Sequence, residues 1–163
     1  MRIYICKKNL LKKLAFCVCS LTVSFSCTHL DVFEKTVAFP KAEWPSTQKD
    51  AFDFSITDTA ARYNIYIVVR HTDAYHFNNL WVNLTSIAPG DTAITARSEL
   101  KLGNNLKWLG SSYDDVIEHR LQFNPYPVKF KQGNYRFYLQ QVMREDPLQN
   151  IVNAGIRIEK IAQ

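Results

Sequence analysis

"YNIYIVVRHTDAYHFNNLWVNLTSI", residues Tyr63–Ile87, decides the fold class of this chain. In its first part apolar side chains stand at every second position from Tyr63 to Val69, and in its last part they do so from Leu80 to Leu84. A period of two is typical of a strand with one buried face. The middle, Thr72–Asn79, is rich in Asp and Asn, which hydrogen-bond to their own backbone in turns. The stretch therefore predicts a strand, a loop and a second strand.

The same alternation recurs on both sides of this stretch. An early strand carries Val32, Phe33, Val37 and Phe39. Further strands are predicted at Ala51–Ile56, Thr92–Leu100, Val116–Phe123, Asn134–Val142 and Gly155–Ile161. Because Gly, Pro, Asp and Asn turns separate these short strands, the pattern indicates an antiparallel sandwich or barrel. We predict an all-β fold, an antiparallel β-sandwich of the jelly-roll kind, with a helix at Asp114–Leu121 as the alternative for that segment.

The first residues have the character of an export signal. A basic start is followed by an apolar stretch from Leu14 to Phe25, which is shorter than the roughly 20 residues that span a bilayer core. Small residues, Ser24 and Ser26, come next and Cys27 follows, the order expected of a cleaved leader. The four cysteines of the chain are Cys6, Cys17, Cys19 and Cys27. Cleavage before Cys27 would leave one thiol in the mature chain, which excludes a disulfide framework.

The stretch around Cys27 resembles the lipobox of bacterial lipoproteins, in which the Cys is lipidated and becomes the first mature residue. Such boxes usually have Leu where Ser24 stands. An uncleaved anchor helix and an ordinary signal peptide are the alternatives. Two or more acyl chains hold a protein stably on a membrane. We therefore predict a lipoprotein signal peptide over residues 1–26, a lipidated N-terminus and tether with an early strand over 27–45, and the β-sandwich domain over 46–163.

The charge of the mature chain differs from that of the whole sequence. The full chain has 20 Lys+Arg and 15 Asp+Glu. Five of the basic residues and none of the acidic ones lie in the leader, so the mature part has 15 of each sign and no net charge. Without a basic surplus, nucleic acid is not an expected partner.

Histidines in the opening stretch raise the question of a metal site. His71 and His76, with Asp73 or His119 as a third ligand, would be the candidates. Zinc takes three or four converging ligands at defined spacing, and two histidines separated by four residues across a loop are a weak signal. We favour the loop interpretation and expect no metal and no cofactor.

Catalytic motifs are absent from the sequence. It contains no G-x-S-x-G, no H-E-x-x-H and no P-loop. The adjacent carboxylates Asp114 and Asp115, or Glu145 and Asp146, could supply the pair that glycoside hydrolysis uses. Neighbouring residues of a strand face opposite ways, and in loops such pairs are usually solvated. We therefore predict that the protein is not an enzyme.

Aromatic residues suggest a different kind of ligand. Jelly-roll sandwiches often bind carbohydrate on aromatic surfaces, and most aromatics at strand spacing are core residues instead. The candidates for such a surface are Trp44, Trp81, Trp108, Tyr66, Tyr75 and Tyr113. Trp81 lies on the strand face opposite Leu80 and Val82, so we expect it to point outward. A surface carbohydrate-binding module is therefore the alternative function.

Three ordered motifs carry a family resemblance. They are "YNIYIVVRHTDAYHFNNLWV", "KWLG" (Lys107–Gly110) and "QVMREDPLQNIVNAGIRIEK" (Gln141–Lys160), behind the lipoprotein leader. Together they resemble the gliding-motility lipoprotein GldH family of Bacteroidota, over about Asp50 to Lys160. The resemblance implies a lipid-anchored envelope protein, with envelope proteins as partners and the outer membrane as the expected location.

The resemblance assigns no catalytic residue, and it directs attention to two loops. Arg70, His71, Tyr75 and Trp81 would mark a strand end and a structured loop, and Arg144 and Asp146 a second loop at Arg144–Asn150. Either an interaction with a partner or structural pinning would explain them. A semi-buried Arg–Asp pair could supply the pinning, because charge-assisted hydrogen bonds are the strong ones.

Overall fold

The computed structural model describes residues 32–104 and 106–161, and these form an all-β fold. Their one helical turn is of the 3-10 type, at Pro40–Ala42. The strands are β1 (Val32–Ala38), β2 (Glu43–Trp44), β3 (Asp50–Ile56), β4 (Arg62–Thr72), β5 (Asn79–Ile87), β6 (Ile94–Lys101), β7 (Ser111–Tyr113), β8 (Val116–Gln122), β9 (Gly133–Gln141), β10 (Leu148–Gln149) and β11 (Ile151–Ile161). The predicted all-β class is confirmed, and Val116–Gln122 is a strand rather than the alternative helix.

Two antiparallel sheets form the body of the fold. The first sheet has the strand order β1-β11-β4-β8-β7, and the second has the order β3-β9-β5-β6. Two very short strands, β2 and β10, pair with each other outside these sheets. The connection from β4 to β5 crosses from the first sheet to the second, so the opening stretch of the sequence joins the two layers.

The strand order is that of a jelly roll. The eight principal strands are β1, β3, β4, β5, β6, β8, β9 and β11. Numbered one to eight along the chain, they lie in the order 1-8-3-6 in one sheet and 2-7-4-5 in the other. Strands 1 and 8, 2 and 7, 3 and 6, and 4 and 5 are therefore neighbours. A long hairpin that folds over on itself produces these pairs, and this is how a jelly roll is built. The predicted jelly-roll sandwich is confirmed.

The core lies between the sheets and is built from the apolar face of each strand. Alternation predicted this face correctly, since buried and exposed residues alternate through β3 and β9. Phe52, Phe54 and Phe137 come from the second sheet, and Ile67 and Ile156 come from the first. Burying one large apolar side chain contributes about 1.5–3 kcal/mol, so these facing rows account for most of the stabilising energy.

The two ends of the sandwich differ. We call one the N-terminal end, because β1 begins there; it carries the connections 57–61, 88–93 and 123–132. The other is the long-loop end, which carries the connections 73–78, 102–110 and 142–150. The register of the antiparallel pairs fixes this division, because Val32 of β1 pairs with Glu159 of β11, and Ile161 pairs with Arg62 at the start of β4.

The early strand belongs to the sandwich. β1 lies within the segment 27–45 that the sequence assigned to the tether, and it forms the edge of the first sheet, paired along its whole length with β11. Cys27 and the predicted leader, residues 1–26, lie outside the described residues. In residues 32–104 and 106–161 no helix is long and apolar enough to cross a membrane.

Candidate functional site

Three crossover loops meet at the long-loop end, and backbone contacts tie them together. Asn150 accepts a hydrogen bond from the Thr72 amide at 3.0 Å, and its own side-chain amide donates to the Ala74 carbonyl at 3.0 Å. The Asn78 carbonyl accepts from the amides of Leu102 and Gly103, at 2.8 and 2.9 Å. The loop 73–78 is therefore held on one side by the connection 142–150 and on the other by the connection 102–110.

Two buried imidazoles lie beneath these loops. His71 closes β4 and His119 faces inward from β8, and their Nε2 atoms are 3.0 Å apart. Their rings are stacked, with centroids 5.1 Å apart. The Nδ1 of His71 lies 2.7 Å from the Thr72 carbonyl oxygen, which can only accept. His71 must therefore carry its proton on Nδ1, and His119 must donate from Nε2 to the bare Nε2 of His71.

Both imidazoles are held neutral by their surroundings. Burial lowers the pKa of His71, and the Thr72 carbonyl and the charge of Asp73 oppose that shift in part. Burial, followed by the proximity of His71, lowers the pKa of His119 to about 4. A second proton would set two N–H groups against each other at 3.0 Å. The pair is thus a neutral unit joined by a hydrogen bond between its two Nε2 atoms.

Trp108 covers the pair from the loop 102–110. Its ring meets the His71 ring edge-on, with centroids 4.4 Å apart, and its indole N–H donates to an Asp73 carboxylate oxygen at 2.6 Å. Gly110 lets this loop pass close to β8, since a Cβ there would lie 2.8 Å from the His119 ring. Tyr75, also buried, donates its hydroxyl hydrogen to the Asn79 carbonyl. These contacts make the loop end rigid.

The proposed metal ligands do not come together. His71 is buried against His119, whereas His76 is exposed and its Nδ1 lies 3.4 Å from a Glu145 oxygen. Asp73 is engaged with the Trp108 indole. In residues 32–104 and 106–161 no group of three or more His, Cys, Asp or Glu side chains could hold a metal ion. His71 and His76 therefore lie in different surroundings: His71 is buried beside His119, and His76 is exposed on the loop 73–78.

The second predicted loop is pinned by carboxylates. Asp146 accepts from the Ser46 amide at 2.7 Å and from the Ser46 hydroxyl at 2.6 Å, and these bonds hold the pKa of its carboxyl below the usual range. Glu145 accepts from the Gln149 amide at 2.9 Å. Arg144 is exposed and makes no hydrogen bond or ion pair with the described residues. The loop thus presents a free guanidinium on a fixed backbone.

Arg70 lies outside this site, and the suggested Arg–Asp pair is not formed. Arg70 points to the outer face of the first sheet, where its Nε is 2.6 Å from Glu118. An alternating row of ion pairs continues from there across the sheet, through Arg120 and Glu34 to Arg157. The acid partner of Arg70 is therefore Glu118, and the partner of Asp146 is a serine.

The aromatic residues considered for sugar binding do not share a surface. Trp44 and Tyr75 are buried in the core. Trp81 points outward from the second sheet, as predicted, but the Arg97 guanidinium lies 5.0 Å from the centre of its ring. Tyr113 is exposed on the short edge strand β7 of the other sheet. A stacked guanidinium occupies the ring face that a sugar would need.

The long-loop end carries exposed apolar residues that the sequence did not predict. Leu106 is 93% exposed and Leu109 is 49% exposed, on either side of Trp108. Cavities of about 520 and 890 Å³ flank Leu106, one beside His76 and Phe77 and the other beside Glu99 and Lys101. A leucine in a loop has no periodicity to identify it. The pairing of His119 with His71 was detectable only in part, as an inward-facing His on β8.

The fold and this site define a class: a jelly-roll domain whose loops are tied together at one end and whose described part holds no cluster of side chains that could bind a metal ion. Comparison with known proteins makes the assignment specific. The GldH lipoprotein family matches residues 31–158. The chain belongs to the GldH lipoprotein family, and the resemblance found in the sequence is confirmed. As a lipoprotein it is anchored by lipid in the cell envelope.

Two curated relatives are similar over most of their length. The gliding motility lipoprotein GldH of Flavobacterium johnsoniae is 28% identical over 144 residues, which cover 83% of this chain and 89% of the relative. The gliding motility lipoprotein GldH homolog of Christiangramia forsetii is 29% identical over 127 residues, which cover 72% of this chain and 78% of the relative.

A likeness to a solved structure was also found. The dimeric latent PorU of Porphyromonas gingivalis aligns with 80% of this chain, at 10% sequence identity and a TM-score of 0.35. The aligned part is 13% of the PorU chain.

Proposed function

We propose that this protein is a non-enzymatic accessory or structural component of an envelope assembly related to gliding motility. In this proposal Cys27 carries the lipid anchor in the outer membrane, and the long-loop end binds an envelope protein partner. The observation that carries the proposal is the combination of a rigid frame with exposed apolar side chains at that end, Leu106 above all. Binding residues usually lie on loops that a rigid scaffold positions.

The chemistry of the long-loop end fits a protein partner. Leu106 and Leu109 are apolar anchors, while Arg144 and His76 offer polar groups at the rim. A central apolar contact surrounded by polar groups is the usual anatomy of a protein–protein interface. The fixed loops reduce the entropy lost on binding, because little remains to be ordered.

The carbohydrate-binding alternative has weaker support. It would need Trp81 or Trp108 to offer a free ring face. Arg97 covers Trp81, and the ring of Trp108 contacts His71 and Tyr75. A protein partner is therefore the function that we put to the test.

The test is recovery of partners by the tagged full-length protein from detergent-solubilised envelopes. We expect Leu106→Asp to lose the partners that the wild type recovers, because a charge at the apolar anchor opposes burial. Ala51→Asp is the control, since Ala51 is exposed on strand β3, outside the loops of either end. Equal recovery by both variants and the wild type would refute a partner site at the long-loop end.

A further inference from the structure

The N-terminal end of the sandwich carries a second set of exposed apolar and basic groups, which the proposed partner site leaves unused. The connection 123–132 there reads "FNPYPVKFKQ" from Phe123 to Gln132. Tyr126 is 79% exposed at its tip, and Lys129 and Lys131 are exposed beside it. Ile94, 66% exposed, begins β6 at the same end. Tyrosine with flanking lysines is the combination found where proteins meet the lipid–water interface.

The fold holds this connection in a fixed shape. Tyr63 and Val128 exchange backbone hydrogen bonds of 2.8 and 2.9 Å. Asn124 is buried, and its side chain accepts from the Ile65 amide at 2.6 Å and donates to the Tyr126 carbonyl at 2.7 Å. Tyr126 is thus presented by a braced loop.

An apolar cavity of about 320 Å³ opens beside this loop, between the two sheets. Ile65 lines it from the first sheet, and Leu84 and Phe137 line it from the second. At its rim the Lys131 ammonium is paired with Asp91 at 2.9 Å. The Lys131–Asp91 pair adds no net charge there, whereas the exposed Lys129 does. An apolar opening beside this lysine suits a membrane, which is apolar inside and anionic at its face.

A lipid on Cys27 would be joined to this same end by a short stretch of chain. Cys27 precedes Val32 by five positions, and five residues span at most about 18 Å when fully extended. β1 starts at the N-terminal end, and its Phe33 contacts Phe54, which in turn contacts Phe130 of the loop, with ring centroids 5.3 and 6.1 Å apart. A short tether therefore keeps the N-terminal end, rather than the long-loop end, next to the membrane.

We infer that the N-terminal end lies on the membrane surface itself, with Tyr126 and Ile94 at the interface and Lys129 facing anionic lipid headgroups. This inference rests on the proposed lipidation of Cys27. Stable anchoring by two or more acyl chains needs no further contact for affinity, so the contact sets orientation. The sandwich then stands on its N-terminal end, and the long-loop end points away from the bilayer.

The experiment uses the full lipidated protein in vesicles of phosphatidylethanolamine and phosphatidylglycerol that contain a headgroup nitroxide lipid. In the lipidated chain the sulfur of Cys27, the one native Cys after cleavage, is blocked by the lipid, so a single introduced Cys can be labelled with an environment-sensitive fluorophore. The two labelled variants are Tyr126→Cys and Leu106→Cys, at opposite ends. We expect the label at position 126 to shift to the blue and to be quenched by the nitroxide, and the label at 106 to do neither.

Flotation of the vesicles separates this inference from the anchor on which it rests. Protein that floats but is quenched equally at both positions, or at neither, would overturn the orientation and leave the anchor standing. A blue shift at position 126 without quenching would mean that a protein covers this end, and it would also overturn the inference. Failure to float would remove the anchor and the inference together.

A second pair of variants tests the side chains and not the tether. With the label placed at Ile94→Cys, we expect Lys129→Glu to weaken its quenching, because the new charge repels anionic headgroups. Lys107→Glu, in the exposed loop at the other end, is the matched control and should leave that quenching unchanged. Equal quenching in the two variants would contradict a contact between Lys129 and the headgroups.

Discussion

His71 and His119 show how a buried polar pair can be satisfied without any charge. Each imidazole nitrogen at their contact has a defined role, since one donates and the other accepts at 3.0 Å. The Thr72 carbonyl fixes the tautomer of His71, and Trp108 excludes water from its ring. Satisfied buried groups of this kind specify one local structure, whereas an unpaired one would cost about 1–3 kcal/mol.

The pair predicts a dependence of stability on pH. Burial lowers the pKa of both histidines, that of His119 to about 4. Below an unfolded pKa of about 6.5 the unfolded His119 binds a proton that the folded one does not, so its contribution to the free energy of unfolding falls by up to about 1.4 kcal/mol per pH unit. The stability contributed by His119 is full above about pH 6.5 and is lost as the pH falls toward 4.

Urea unfolding midpoints between pH 7 and pH 4.5 measure this loss. His119→Gln can still donate to His71 but cannot take up a proton, so we expect it to flatten the pH dependence. Gln132→Asn, at an exposed position with no titrating group, should keep the wild-type slope. Parallel slopes for the wild type and His119→Gln would show that this histidine does not titrate as described.

Truncating Arg144 and truncating Phe137 should have very different effects on the free energy of unfolding. Phe137 is 2% exposed in the core, so Phe137→Ala should cost about 3–5 kcal/mol. Arg144 is exposed and pairs with none of the described residues, so Arg144→Ala should stay within about 0.5 kcal/mol of the wild type. Urea midpoints of the full-length variants check both values. A cost near that of Phe137→Ala would show that Arg144 serves the fold.

At the scale of the strands, period-two alternation identified the principal members of both sheets. The sequence missed β2, β7 and β10, because strands of two or three residues are too short to show a period. It predicted the loop Thr72–Asn79 to within one residue at each boundary, since Asp and Asn give that loop a turn-forming composition. Which loops touch could not be predicted, because contacts such as that between Asn150 and Ala74 depend on the strand order.

The edge strand β1 depends on a glycine in its neighbour. Gly155 in β11 pairs with Thr36, and a Cβ at Gly155 would lie 2.6 Å from the Thr36 Cα and even closer to the Lys35 carbonyl. Overpacking typically costs about 1–3 kcal/mol, and here the atoms in the way are backbone. We expect Gly155→Ala to loosen β1 and to speed hydrogen exchange of its amides, while the exchange of β9 stays slow.

Gly90→Ala is the control for that prediction. Gly90 has a φ of 75°, so alanine is strained there, but a Cβ would meet nothing within 4 Å. Its cost should be about 1 kcal/mol and confined to the turn between β5 and β6. Slow exchange in β1 of Gly155→Ala would mean that the two strands can move apart without losing their pairing.

At the scale of the whole molecule, the jelly roll separates two surfaces. Antiparallel strands place the start of β1 at one end and the three long crossover loops at the other. Composition indicated that the mature chain has no net charge, but it could not show that exposed apolar residues lie at both ends. Leu106 and Ile94 are distant in the fold because Ile94 begins β6 at one end and Leu106 lies in the loop that follows β6 at the other.

The anchor predicts how the whole molecule partitions in the cell. If Cys27 carries the lipid, Cys27→Ala should abolish incorporation of labelled palmitate and move the protein from the membrane fraction to the soluble periplasm. Each buried CH₂ contributes about 0.8 kcal/mol, so the loss of two or more acyl chains removes nearly all membrane affinity, and the interfacial contact of Tyr126 is too small to replace it. The sandwich starts at Val32, so the substitution should leave its urea midpoint unchanged. A Cys27→Ala protein that stays in the membrane fraction, beside a wild type that incorporates no palmitate, would show that an uncleaved leader holds the chain instead.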